Sequence, residues 1–230
     1  MPFNVQQFFE VIARYNQSVW PAPLVLNALA LIAMALAWRA REGDGRWVAG
    51  ILAAMWSWMA IAYHVAFFTN INPAAWVFAA AFLLGAMSFL WQGIAKSRLQ
   101  FAFRRDSLGW TGLALIAYAL VGYPWLGFML GHRFPESPTF GLPCPTTIFT
   151  IGILLLGRPP VPRSVFAVPV AWALVGSTAA FGLGVYEDLG LLLAAAAAGV
   201  AVVRRPGSPK AAGDGHGPLP RGTAAPERLE

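Results

Sequence analysis

Charge is scarce in this chain: only 11% of its 230 residues are Asp, Glu, Lys or Arg, where a soluble domain carries roughly a quarter. Hydrophobic residues make up 58% and mean hydropathy is +0.59, which excludes an ordinary soluble domain and calls for an integral membrane protein. Cysteine is nearly absent. With Cys144 alone, neither an intramolecular disulfide nor a Cys-x-x-Cys metal pair can form. Histidine is limited to His64, His132 and His216. The chain has no phosphate-binding glycine loop, no nucleophile elbow and no pair of carboxylates inside an apolar segment, so the common signatures of nucleotide and ester chemistry are missing. The net charge of +6 is explained by basic loops facing anionic lipid. The lipid bilayer is therefore the expected partner, and no nucleic acid is invoked.

Apolar segments are what the chain has in quantity. Stretches near the length of about twenty residues needed to cross a hydrocarbon core fall at Ala22–Trp38, Trp47–Phe68, Ala74–Ala95, Leu108–Gly131, Pro145–Leu156, Ser164–Gly182 and Leu189–Val203. The fifth is short and follows a proline-rich run, so length alone leaves it open to a buried or re-entrant reading. Charge decides. Arg39, Arg41 and Arg46 follow the first segment; Lys96, Arg98, Arg104 and Arg105 the third; Arg158 and Arg163 the fifth; Arg204 and Arg205 the seventh. Arg133 stands alone after the fourth, and the connection between the sixth and seventh holds only Glu187 and Asp188. Cytoplasmic loops collect Lys and Arg, so the alternation predicts an all-α, polytopic helical bundle with seven crossings, N-terminus outside and C-terminus cytoplasmic.

Residues 1–19 read as an amphipathic interfacial helix, with Phe8, Phe9, Ile12 and Tyr15 at helical spacing against Gln7, Glu10 and Arg14. The opening lacks the basic start, apolar middle and small-residue site of a cleavable signal. Trp20, Trp47, Trp76, Trp110 and Trp125 lie near segment ends, where indole rings anchor helices at the headgroups. Residues 20–205 form the membrane domain. Residues 206–230, rich in Pro, Gly and Ala, read as a disordered cytoplasmic tail in which His216 is solvated. The run Ala194–Ala198 with Gly199, and Gly176, Ala179 and Ala180, predict close packing of the last two helices.

Polar residues gather towards the predicted outer side, where Glu187 and Asp188 complete the set. Ser57 and His64 are seven apart and so share a helical face, with Tyr63 beside them. Asn72 before Pro73 reads as a helix N-cap. Tyr123, then His132, then a loop stiffened by Pro135, Pro138 and Pro143 lead to Cys144, Thr146 and Thr147. A histidine within a membrane segment is a site candidate by default. Cys144 reads as a cap residue beside a helix N-terminus, where the dipole would activate a thiol, although most membrane cysteines simply pack.

Tyr123-Pro124, the run Gly131-His132-Arg133-Phe134-Pro135 and, above all, Pro138 to Gly152 (Pro-Thr-Phe-Gly-Leu-Pro-Cys-Pro-Thr-Thr-Ile-Phe-Thr-Ile-Gly) resemble the signature of a domain-of-unknown-function family of bacterial multi-pass membrane proteins. Tyr15-Asn16, Val19-Trp20-Pro21, Tyr63-His64 and Phe67-Phe68 extend the resemblance over nearly the whole membrane part. It implies a bacterial inner-membrane location. Such proteins are sometimes labelled permeases of the major-facilitator type, whose fold of about twelve spans does not fit seven segments.

These residues favour a protein that binds or transports a small solute or ion through an outward-facing site built from Ser57, Tyr63, His64, Tyr123, His132, Cys144, Thr146 and Thr147. An ion would suit thiolate and imidazole, or the helix N-terminus if anionic. The alternatives are an intramembrane metal-dependent hydrolase and a membrane sensor or assembly partner. Seven spans loosely resemble the alkaline ceramidase and adiponectin receptor superfamily, which binds zinc through three histidines, two in its last span. Here the last segment has none. Cofactor and metal stay unassigned.

Overall fold

The structure is a computed structural model that describes residues 2–203. Arg204, Arg205, His216 and the expected tail lie outside the described residues. The described chain folds into helices α1 (Val5–Ser18), α2 (Ala22–Arg39), α3 (Asp44–Asn70), α4 (Ala75–Ala95), α5 (Ser107–Met129), α6 (Pro143–Leu155), α7 (Ser164–Gly182) and α8 (Tyr186–Val203). Six of these, α2 to α5, α7 and α8, are long and apolar enough to cross a membrane. Large apolar side chains also remain outside, such as Leu24, Val25, Ile32, Val77, Leu84 and Met87. On a soluble monomer such a surface would aggregate.

Helix α6 is the exception and the centre. At 13 residues it rises roughly 20 Å, short of a hydrocarbon core of about 30 Å. Every one of its residues except Cys144 is buried, so protein rather than lipid surrounds it. Its two ends lie at opposite ends of the bundle. At one, Leu156 accepts a backbone bond from Ala102 at 3.0 Å and Gln100 accepts one from Arg158 at 2.8 Å. At the other, Cys144 lies beside Tyr123 and Asp188. A short helix is tolerable there because the irregular residues adjoining its ends, Phe140, Gly141 and Leu142 at one and Leu156 and Gly157 at the other, are buried in protein.

Small residues set the packing. A Cβ on Gly112 of α5 would come within 2.7 Å of the Gly152 carbonyl in α6, so the two backbones touch. Gly85 of α4 takes the Trp56 ring, and a Cβ there would meet it at 2.7 Å. Gly176 of α7 similarly receives Leu191 of α8. The alanine run does pack, but through Ala194, Ala195 and Ala198; Ala196 and Gly199 face outward. Trp20, Trp47, Trp76, Trp110 and Trp125 are all exposed at the surface.

Helix α1 is amphipathic, as its spacing requires. A capping box starts it: the Asn4 side chain accepts from Gln7 N at 2.8 Å and Gln7 Oε1 accepts from Asn4 N at 3.0 Å. Val11, Ile12, Tyr15 and Asn16 are buried, so α1 packs onto the bundle. Asn16 then ties down the proline-rich loop, donating to Pro135 O at 2.6 Å and Ser137 O at 2.8 Å and accepting from Thr139 Oγ1 at 2.6 Å.

Local readings needed correction in three places. Asn72 does not cap α4, which begins at Ala75 after Ala74; its side chain instead accepts from Ala74 N at 3.1 Å. Cys144 is not the cap of α6, because Leu142 is. Ser57 and His64 do not share a face by simple periodicity. Met59–Val65 form a π-helical turn, and its i→i+5 bonding ends the 3.6-residue period that places positions seven apart in line.

Candidate functional site

A cavity of about 230 Å³ opens where α3 and α5 end, α6 begins, and α7 hands over to α8. Phe3, Phe8 and Ile12 cover it from the N-terminal segment, and Phe68, Phe78 and Trp172 form much of its wall. The lining is overwhelmingly apolar. Its polar groups are few: Asp188, Tyr123, Tyr63, Cys144, Thr178 and Asn72. The basic connections lie at the other end of the bundle, where Phe101 pairs with Gly157 and Arg163 donates to Val202 O at 3.2 Å.

Asp188 is the chemical centre of this wall. It is 1% exposed and accepts a hydrogen bond from Tyr123 Oη at 2.6 Å. It sits just before the regular helix Leu189–Val203, where the positive end of the dipole favours a carboxylate. No salt bridge reaches it; among the described residues the ion pairs are Arg39–Asp44, Arg104–Asp106 and His132–Glu187.

Glu187 points elsewhere. It is fully buried, and its Oε1 lies 2.8 Å from His132 Nδ1 while Oε2 has no partner. Gly127 makes room for it, since a Cβ there would stand 3.1 Å from Oε1. Tyr118 Oη donates to the Glu187 carbonyl at 2.7 Å. The His132 ring is partly exposed and lies 4.8 Å from the Phe9 ring of α1. The acid is thus linked through His132 to the helix that covers the cavity.

His64 lies behind the cavity wall. It is fully buried and neither ring nitrogen has a hydrogen-bond partner. Phe82, Trp172, Tyr63, Phe78 and Phe68 surround it with ring centroids 4.7 to 5.9 Å away. Beneath α1, Trp58 donates to Tyr15 Oη at 2.7 Å. Burial raises the Tyr15 phenol to about 12, so it stays a neutral hydrogen-bonding group.

Of the residues singled out from sequence, the fold brings Tyr63, Tyr123 and Cys144 to the cavity. Five others are placed differently. His64 is behind the aromatic wall, His132 pairs with Glu187, and Ser57 is half-buried on α3 away from the lining set. Thr146 accepts from Gly141 N at 3.0 Å, fixing a residue whose φ of +102° suits glycine. Thr147 is buried with its hydroxyl unpartnered. His64, His132 and Cys144 do not converge, and among the described residues no three His, Cys, Asp or Glu side chains form a group that could hold a metal. Trp172 was absent from the expected site, and Asp188 and Glu187 were counted in the outer polar set but not among its binding residues. The available signal was two adjacent acids in a connection otherwise free of charge.

A helical, apolar bundle of this kind is the architecture of a polytopic membrane protein. The chain belongs to DUF6064, a family of unknown function whose pattern matches residues 5–211. No curated protein and no solved structure matches it.

Proposed function

We propose that this is a bacterial inner-membrane protein with seven crossings, N-terminus outside and C-terminus cytoplasmic, that binds a small solute from the outer side in the cavity between α3, α5, α6, α7 and α8. The observation that carries this reading is the position of the cavity, at the end of the bundle opposite the basic connections. Basic loops stay in the cytoplasm, so the cavity opens outward. The seventh crossing is α6, supported by the opposite placement of its two ends.

A mainly apolar lining favours a solute with a hydrophobic body over a bare ion, since an ion must exchange its hydration shell for polar ligands. An anion at the N-terminus of α6 would meet Asp188. Binding is the part of a permease-like role that the geometry carries. Towards the basic end the centre is packed, with Trp56 donating to Thr150 Oγ1 at 3.0 Å and Thr150 to Thr146 O at 2.8 Å. The hydrolase reading loses its footing with the separation of His64, His132 and Cys144.

The test is directional labelling of Cys144. In spheroplasts a small membrane-impermeant maleimide should modify the wild type and not Cys144→Ser, with reporter fusions after Arg105 and Arg163 reading cytoplasmic and those after Pro138 and Glu187 external. Modification confined to inside-out vesicles would overturn the orientation, and the outward-facing site with it.

A further inference from the structure

The cavity has an unusual balance of groups: one buried carboxyl, a phenol that donates to it with the Cys144 thiol alongside, and aromatic and aliphatic side chains on the remaining sides. Among the described residues, no cation pairs with Asp188. The basic groups of the connection after α5 are held elsewhere: His132 faces Glu187 at 2.8 Å, and Arg133 lies over the Phe128 ring at 4.9 Å. Burying a carboxylate without a counter-charge is costly, while the adjoining start of α8 favours retaining that charge. A ligand that brings a positive charge resolves the conflict, and one that brings a negative charge aggravates it.

The rest of the wall suits such a ligand. Phe68, Phe78 and Trp172 line it, and aromatic rings can attract an ammonium group as well as an apolar body. The volume of about 230 Å³ exceeds the cavity of about 150 Å³ that accommodates benzene. There is room for one ring or a short chain plus an amine. Resting on the cavity reading above, the geometry points to a specific ligand class: small organic ammonium ions with an apolar body, the nitrogen at Asp188 and the body against Phe68, Phe78 and Trp172. The same chemistry is offered by a free amine and by the ammonium of an aminophospholipid headgroup.

The experiment uses the full chain in phosphatidylglycerol nanodiscs and three probes of similar size: 2-phenylethylamine, propylbenzene and 3-phenylpropanoate, measured by calorimetry at neutral pH. The amine should bind at least about tenfold more tightly than propylbenzene, as an ion–carboxylate contact with aromatic support provides, and the carboxylate probe should bind weakest. Asp188→Asn should bring the amine down to the level of propylbenzene without changing propylbenzene, whose retained binding reports an intact fold. Ala179→Phe, which fills the cavity, should remove both. If Asp188→Asn does not fold, the three-probe ranking on the wild type still decides. Equal binding of amine and propylbenzene overturns the ammonium assignment and leaves the cavity reading standing; binding of no probe overturns both. Weaker amine binding on adding phosphatidylethanolamine assigns the natural ammonium to the lipid, and unchanged binding assigns it to a free solute. Both of these results support the proposal.

Discussion

At the basic end of the bundle, acids pair with arginines beside helix ends; at the cavity end, two acids are buried without an arginine or lysine partner among the described residues. Arg39 grips Asp44 with bonds of 3.0 and 2.5 Å across the turn joining α2 to α3, and Arg104 closes on Asp106 at the start of α5. Those pairs finish helix ends. Glu187 and Asp188, by contrast, are buried with a histidine and a tyrosine for partners, and α1 lies over them as a cover. Surface pairs contribute little by themselves, whereas a buried carboxyl shapes what its surroundings can bind. The contrast separates a region built to close helices from one built around an opening.

The sharpest way to break this contrast is to disturb the close packing of the basic end. A Cβ on Gly45 would fall 1.9 Å from the Leu99 carbonyl oxygen, and backbone cannot swing aside as a side-chain tip can. Gly45→Val should cost roughly 3 kcal/mol, in the upper range for overpacking, or abolish folding. Melting of the detergent-solubilised protein checks it. A melting temperature within a degree or so of wild type would mean that the α3 turn and the 96–106 connection are not locked together.

His132→Ala probes the cavity end. Removing the imidazole leaves Glu187 Oε1 as unpartnered as Oε2 already is, at a cost of about 2 kcal/mol for an orphaned buried acceptor. In a Glu187→Gln background the same change should cost distinctly less, and the double-mutant cycle measures the coupling. Additive losses would show that His132 acts through its contact with Phe9 instead.

Asp106→Ala should have the smallest effect. The backbone amide of Gly109, at 2.9 Å, and then Arg104 hold the Asp106 carboxyl below its ordinary value. Losing this N-cap costs about 1 kcal/mol at neutral pH. A carboxyl lowered in the folded state stabilises fully above its unfolded value of about 4 and ceases to do so as pH falls through the folded one. The gap between wild type and variant should therefore hold from neutral pH down and close only in that acid range. A gap unchanged by acid would remove the carboxylate from the explanation.

Much of the fold was legible in the sequence because membrane segments announce themselves locally. The expected start at Leu108 falls one residue from the observed Ser107, and the Ser164–Gly182 segment coincides with α7. The fifth segment was harder, since 13 buried residues look alike whether they cross or turn back. The π-helical turns at Met59–Val65, Leu90–Ala95 and Tyr118–Gly122 left no periodic trace among uniformly apolar residues, and one of them moved His64 out of line with Ser57. The site was legible only in part. Tyr63, Tyr123 and Cys144 stood out by their polarity against an apolar background, and Asp188 and Glu187 as the acids of the outer set, but no sequence signal showed that packing would bury both acids and bring Asp188 to the cavity.

Composition and apolar segment length determined by themselves that this chain is a helical bundle with the apolar architecture of a membrane protein, because hydrophobicity acts residue by residue along the chain. Which helix became the centre, which acids were buried and which rings closed around them was decided only by the tertiary structure. Those outcomes depend on neighbours distant in sequence: Gly112 against Gly152, Gly127 against Glu187, and Tyr123 against Asp188. A carboxyl becomes a site only when packing removes its water and leaves space beside it.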